Sequence, residues 1–566
     1  MRAARAEAGF AGAAAVLASV GAVVFLELWD ADLRVPFAYS GDATLNLMLI
    51  KDAMERTWFY ANPELGAPGK QLLYDYPVLS GDALPVAFFR VAGLFTDNAG
   101  LVMNFFFLVG FPLTAAVAYL VLRQLGVGRD VALVVAVLYT LLPYHFMRGE
   151  VHLFLAAYWV VPLGALLALA VLNGRLRIGL VAAGLAALVA LASGSFYYSA
   201  FTVLLVAVAA LLRLAATREW RALLPGVFVV AVLLAVSLAQ LGPTIAYRVR
   251  HGTNDEVAKR YWFESENYAL KITQLVLPVD GHRIDRLARR KAEYTEQIPP
   301  NEGRTATLGI VGTVGFFWLL GVGVAALAGA VRRPSLEVDR RLAALTLVSV
   351  LVATTGGLST LIAVAWPQIR SWNRLSVFIA FFCLAAVAVL LERLRPRLPR
   401  LVFGALLAAI LVLGALDQTT SQFVPPYGQV EAEYASDGRW FGSLESRLAE
   451  RAAVVELPYE PFPEPAGGGL RPLYEPAKGY VHSNDLRWSW GAMRGRPDDW
   501  AAQFATKPAA ELIPAARQAG FAGVLVDRLA YPDQGAQATA ELTSVVGSQP
   551  EASPNGRYAF WPLEGK

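Results

Sequence analysis

Uninterrupted apolar stretches decide what this chain can become. Residues 99–122 hold no Asp, Glu, Lys, Arg or His, and comparable stretches recur along the sequence. Inside a bilayer no water satisfies backbone N–H and C=O groups, so such a stretch must be helical, and about 20 residues cross roughly 30 Å of hydrocarbon. Only 17 % of the 566 residues are charged, against about a quarter in soluble proteins. The sequence therefore predicts a polytopic α-helical membrane protein with about eleven spans, near 10–28, 99–122, 130–144, 151–172, 178–193, 196–212, 222–241, 307–330, 342–363, 375–391 and 401–416. Several of these are shorter than a bilayer strictly requires.

Arginine placement predicts the orientation. Arg2 and Arg5 precede the first span. Further clusters fall between alternate spans: Arg123 and Arg129; Arg175 and Arg177; Arg213, Arg218 and Arg221; Arg332, Arg333, Arg340 and Arg341; and Arg393, Arg395, Arg397 and Arg400. Basic loops stay cytoplasmic, so the N-terminus is expected inside and residues 417–566 outside. No small-x-small cleavage site follows the first span, which is expected to be retained. The composition, rich in Ala, Arg, Gly and Leu, suggests a GC-rich bacterial source and hence the bacterial inner membrane. Because the arginines cluster between spans, the basic pI of about 9.0 reads as topology and not as a nucleic-acid surface. Cys383 is the single cysteine and lies in a span, so no intramolecular disulfide can form. There is no zinc spacing, P-loop or dinucleotide fingerprint, and no span carries an ionisable residue in its middle, which argues against ion-coupled transport.

Function is then sought in the three long outer segments, 29–98, 242–306 and 417–566. In the first, residues 43–60 have helical spacing, with Leu47, Ile50, Met54 and Trp58 on one stripe and Asp52, Glu55 and Arg56 elsewhere. Such a helix can lie along the membrane interface with Trp58 and Tyr60 at headgroup depth. A second amphipathic stretch, 83–96, carries Arg90. Asp42 opens the first of these helices, where it reads equally as an N-cap or as a free carboxylate. Three clusters offer donors to a phosphate. One is Tyr144–His152, with Arg148 and His152; its His145, Glu150 and His152 also leave a divalent metal possible, although the spacing matches no standard ligand set. Another is His282 and Arg283, beside an apolar run in the second segment. The third is Arg370 and Arg374 in a short loop, where two arginines break the positive-inside pattern. They pair either with an anionic lipid headgroup or with an outer-loop carboxylate. After Asp417 the spans stop. Strands at 454–457, 523–527 and 558–561, with helices near 438–451 and 508–519, predict a small α/β domain outside the membrane. The aromatic segment 480–491 either meets sugar rings or docks that domain onto the membrane part.

An acidic residue just behind the first span, in a loop with two interfacial helices, resembles the GT-C glycosyltransferases. That resemblance covers the layout of about residues 1–416, and the chain also looks like bacterial YfhO-like membrane proteins. The GT-C resemblance implies a glycosyltransferase that moves a sugar from a polyprenyl-phosphate donor to a lipid, glycan or protein acceptor on the outer face, with inversion. It implies Asp42 as the base that deprotonates the acceptor hydroxyl. Many relatives carry adjacent acidic residues there, whereas Gly41-Asp42-Ala43 offers one, which leaves a contribution from Asp75 or Asp82 open. The other readings are a lipid-linked-sugar flippase and a non-catalytic factor for envelope-glycan assembly.

Overall fold

The structure is a computed structural model that describes residues 2–56, 60–257, 259–298, 301–329, 334–464 and 470–563. The expected positions of Trp58, Arg332 and Arg333 lie outside the described residues. Nine of the described helices are long and apolar enough to cross a membrane: Arg5–Phe25, Ala99–Gln124, Arg129–Arg148, Leu153–Leu172, Tyr197–Thr217, Trp220–His251, Gly309–Leu327, Trp372–Arg397 and Arg400–Gln418. The chain is a multi-pass membrane protein.

Two further expected spans come out short. Leu180–Leu191 has 12 residues, and Glu337–Ala353 has 17, with a break before Leu358–Ala365. At 1.5 Å per residue these reach only about 18 and 26 Å. Residues at or beside their ends meet different parts of the bundle. Gly174, before the first, lies against Arg213, while Ser193, after it, donates its N–H to Gly81 O at 3.0 Å. Asp339 in the second pairs with Arg393, and its last residue, Ala353, accepts from Leu270 N at 2.7 Å.

These contacts define two faces. One gathers the arginines with their carboxylates: Arg123 and Arg129 on Glu7 at 2.8 and 2.9 Å, Arg395 on Asp130, and Arg393 on Asp339. The other gathers the long loops and the C-terminal domain. That domain has a five-stranded sheet in the order Arg487–Trp488, Ala453–Leu457, Phe521–Asp527, Tyr558–Pro562, Glu551–Ala552. The first three strands are parallel and the last two join antiparallel. Every residue of Ala453–Leu457 and Phe521–Asp527 is buried, as suits central strands that are apolar apart from Glu456 and Asp527.

The first-loop helix, Asp42–Glu55, differs from expectation. It is helical, but Ala43 through Met54 are all buried, including Lys51 and Asp52. The C-terminal domain covers the face that periodicity assigned to water. Lys51 Nζ donates to Ser483 O at 2.7 Å, and Asp52 takes Arg56 Nε at 2.8 Å. At the helix C-terminus Arg90 donates to Met54 O at 2.6 Å, placing a cation where the helix dipole favours one. Segment 480–491 makes the dock. Trp488 N donates to Glu64 O at 2.7 Å, Ala67 N to Trp488 O at 2.8 Å and Gly66 N to Trp490 O at 2.7 Å.

Helix Gly309–Leu327 crosses Trp372–Arg397 so closely that a Cβ on Gly315 would sit 2.1 Å from Cys383 O, whereas one on Gly321 meets nothing within 4 Å. Gly315→Ala is expected to cost about 1–3 kcal/mol through overpacking, and Gly321→Ala to cost nothing. Thermal unfolding of the two purified variants in detergent checks this; equal midpoints would refute the close crossing.

Candidate active site

Gly41, with φ of +59°, turns the chain into helix Asp42–Glu55 and serves as its N-cap. Asp42 is thus the first residue of the helix and not its N-cap. The carboxylate is 44 % exposed at the side chain and faces His152 Nε2 at 4.0 Å. Behind His152 stands Glu302, 3.9 Å from the same nitrogen. Both distances are too long for hydrogen bonds, so among the described residues no hydrogen bond engages the Asp42 carboxylate.

Glu302 collects the arginines. Arg148 Nη1 reaches it at 2.8 Å and Arg374 Nη2 at 3.2 Å. Each cation is placed by local sequence. Pro143 opens the short helix Pro143–Arg148, and Gly149, with φ of +46°, ends it at Arg148. Arg374 lies in the turn Trp372–Leu375, which leads into the next span, and its guanidinium covers the Tyr197 ring at 4.2 Å. Asn301 accepts from Gly303 N at 3.0 Å, capping the turn that carries Glu302; a Cβ at Gly303 would sit 2.0 Å from Gln274 Oε1. Asn373 links the layers, accepting from Arg148 Nη2 at 3.2 Å and donating to Tyr268 O at 3.0 Å. Arg370 pairs with Glu264 at 3.0 Å and lies over the Tyr268 ring. Both loop arginines are therefore paired with loop carboxylates.

Charge states follow from this arrangement. Burial raises the Asp42 carboxyl above the usual range and the negative Glu302 raises it further, while Arg374 and Arg370 pull it back. Burial opposes the charge on Glu302, but Arg374 and Arg148 hold that carboxyl well below the ordinary value. Burial, then Arg148 and Arg374, push His152 down to about 3, so its ring is neutral at physiological pH. Tyr76 and Tyr474 are close enough for the Asp42 charge to act on their hydroxyls. The result is one ionisable carboxylate with an open face, beside a neutral imidazole and three fixed guanidinium groups.

The structure thus brings together Asp42, Arg148, His152, Arg370 and Arg374, and adds Glu302. It takes the other candidates elsewhere. Asp75, 1 % exposed, is held by Arg496 Nε and Nη2 at 2.6 and 2.8 Å. Arg496 also donates to His251 O and Gly252 O, tying the C-terminal domain to the end of span Trp220–His251. His282 faces Asp417 at 3.3 Å, and Arg283 donates to Leu416 O at 2.7 Å and Thr419 Oγ1 at 3.1 Å, so both close off the end of helix Arg400–Gln418. His145 stacks on Phe111 at 3.7 Å, away from His152, and Glu150 accepts from Ala38 N at 2.8 Å. Asp82 accepts from Gly194 N and Ser195 N at 2.9 and 2.6 Å. Among the described residues no group of three or more His, Cys, Asp or Glu side chains is arranged to hold a metal ion.

Glu302 is the residue that sequence reasoning passed over. Its signal was indirect: arginines at apolar span ends need a counter-charge, and residues 242–306 supply the nearest carboxylates. Asp75→Asn would remove the charge that two Arg496 hydrogen bonds engage while His251 O and Gly252 O still accept from that guanidinium, and loss of a charged hydrogen-bond partner costs about 1–3 kcal/mol. Chemical denaturation of Asp75→Asn is expected to show a loss of that order. An unchanged midpoint would remove the structural role.

No protein-family model matches the chain, and no curated protein matches it at a significant level. Solved structures similar to it include the apo oligosaccharyltransferase of Archaeoglobus fulgidus, at 14 % identity, over 97 % of this chain and 74 % of that one, with a TM-score of 0.44. AglB from the same organism, in complex with an inhibitory peptide and a dolichol-phosphate, has 12 % identity, coverages of 98 % and 74 %, and a TM-score of 0.43. ArnT from Cupriavidus metallidurans, bound to undecaprenyl phosphate, has 12 % identity, coverages of 97 % and 98 %, and a TM-score of 0.46.

Proposed function

We propose that this protein is a membrane glycosyltransferase of the GT-C kind, which moves a sugar from a polyprenyl-phosphate donor to a hydroxyl of a lipid, glycan or protein acceptor at the outer membrane face. The observation that carries the reading is Asp42: a carboxylate free of hydrogen bonds, raised in pKa, set among three arginines at the ends of apolar spans. A carboxylate kept unpartnered next to cations that pair with other acids is arranged for a proton that arrives with a substrate.

The acceptor hydroxyl attacks the anomeric carbon as its proton passes to Asp42. The bond from that carbon to the phosphate oxygen breaks, and polyprenyl phosphate leaves with the electron pair. Attack opposite the leaving group inverts the anomeric centre. Charge grows on the departing phosphate, and Arg370 and Arg374 are the groups to meet it; their planar N–H forks suit phosphate oxygens. Arg148 holds Glu302 in place, and the neutral His152 can donate or accept a hydrogen bond without adding charge.

The test uses protein in nanodiscs with a panel of polyprenyl-phosphate sugars and candidate acceptors, and follows free polyprenyl phosphate by mass spectrometry. Asp42→Asn is expected to reduce release by about 10²–10⁴-fold, the usual share of general-base catalysis, with unfolding unchanged. Equal release by both proteins would remove Asp42 as the base. The pH profile gives a second test. Asp42 works ionised and its pKa is raised, so kcat/KM is expected to fall on the acid side at a higher pH than for an ordinary aspartate. Glu302→Gln removes a charge that raises Asp42 and releases arginines that lower it, so the acid limb should move to lower pH.

A further inference from the structure

We propose that the C-terminal α/β domain holds the Asp42 carboxylate in position, with Tyr39 and His482 as positioning residues, because one short stretch of that domain grips both ends of the helix that begins at Asp42. The inference rests on the assignment of Asp42 as the base.

The grip at the N-terminal end is Tyr39, which is 3 % exposed. Its hydroxyl lies 2.7 Å from His482 Nε2 and 3.2 Å from Asp437 Oδ2. One arrangement satisfies all three groups: His482 donates from Nε2 to the Tyr39 oxygen, and Tyr39 donates to Asp437. Burial, then Lys478 and Lys51, push His482 down to about 3, so the ring is neutral and carries a single proton for this purpose. Rings of Tyr434 and His482 pack edge-on against Tyr39, and Lys478 Nζ lies 4.1 Å over its face. Lys478 is itself fixed by Glu433 and Glu475 at 2.7 and 2.8 Å. Arg557 then joins Glu475 to Asp527 at the end of a central strand, at 2.6 and 2.9 Å. Tyr39 is thereby anchored to the core of the sheet domain.

The grip at the other end comes from the same stretch. Ser483 O accepts from Lys51 Nζ at 2.7 Å, and Tyr480 donates to Glu55 Oε2 at 3.1 Å. Helix Ala477–Val481 and the two residues after it thus contact the chain three residues before Asp42 and again in the last turn of its helix. Only Ser40 and Gly41 separate the anchored Tyr39 from Asp42. Since the carboxylate makes no hydrogen bond of its own, its position is set by this backbone.

A nitroxide placed by Asp42→Cys reads that position directly. The native Cys383 is fully buried and does not compete for the label. In the parent background the label is expected to give an immobilised spectrum, and a more mobile one with Tyr39→Phe or His482→Phe. His482→Gln, which keeps a donor in reach, should restore the immobilised form. With Asp42 in place, Tyr39→Phe is expected to lower kcat about 10–100-fold with donor KM unchanged, since a displacement of about 1 Å costs about 100-fold. Lys51→Met, which releases the far end, provides the second variant should Tyr39→Phe fold poorly. Unchanged label mobility together with unchanged kcat would overturn the inference. Retained turnover in Asp42→Asn would instead sink the assignment of the base, while the label spectra would still report the grip.

Discussion

Two arginines at the mouth of an apolar bundle need a counter-charge, and Glu302 supplies it to both. Leaving Arg148, 1 % exposed, without a carboxylate would cost several kcal/mol. Satisfying it joins three segments that the spans bring to one face: helix Pro143–Arg148, the turn at Glu302 and the turn at Arg374. Glu302 is committed to these arginines and Glu264 to Arg370, whereas among the described residues no hydrogen bond engages the Asp42 carboxylate. The unusual freedom of Asp42 follows from the way its neighbours are paired. That pairing also separates the roles of two adjacent acids, since one is held ionised by cations while the other is raised by burial and by its neighbour's charge.

Much of the fold was legible because a bilayer leaves the backbone few choices. The charge-free runs gave the spans, and alternating arginines gave two faces whose contacts in the structure are those of Glu7, Asp130 and Asp339 with their arginines. Leu180–Leu191 is shorter than the charge-free run suggested, because its helix stops at Ala192 and gives way to the turn at Gly194 and Ser195 that binds Asp82. The helix Asp42–Glu55 shows a different failure. Its polar face looked solvated because periodicity sees only local sequence, whereas Ser483, which covers Lys51, lies 432 residues away. At the site, Arg148, His152, Arg370 and Arg374 were readable because each sits where a span meets a loop. Asp75, His282 and Arg283 looked alike in sequence but found partners in Arg496, Asp417 and Thr419. Those partners lie far along the chain and draw Asp75, His282 and Arg283 away from the Asp42 cluster, and contacts of that kind leave no local mark in the sequence.

The contacts between the Asp42 helix and the C-terminal domain also have a temporal side. Asp42 and its helix precede eight of the nine described long apolar helices and the whole C-terminal domain in chain order. Tyr39 and Asp437, which meet through a hydrogen bond, are 398 residues apart. At a synthesis rate of about 5–20 residues per second, tens of seconds separate the two halves of that contact. Throughout that interval Lys51 and Asp52 have no domain to cover them, and the sheet strand Tyr558–Pro562 follows later still. A chain interrupted between Arg374 and Ala477 would own every arginine of the site and still lack the segment that contacts Tyr39 and Lys51.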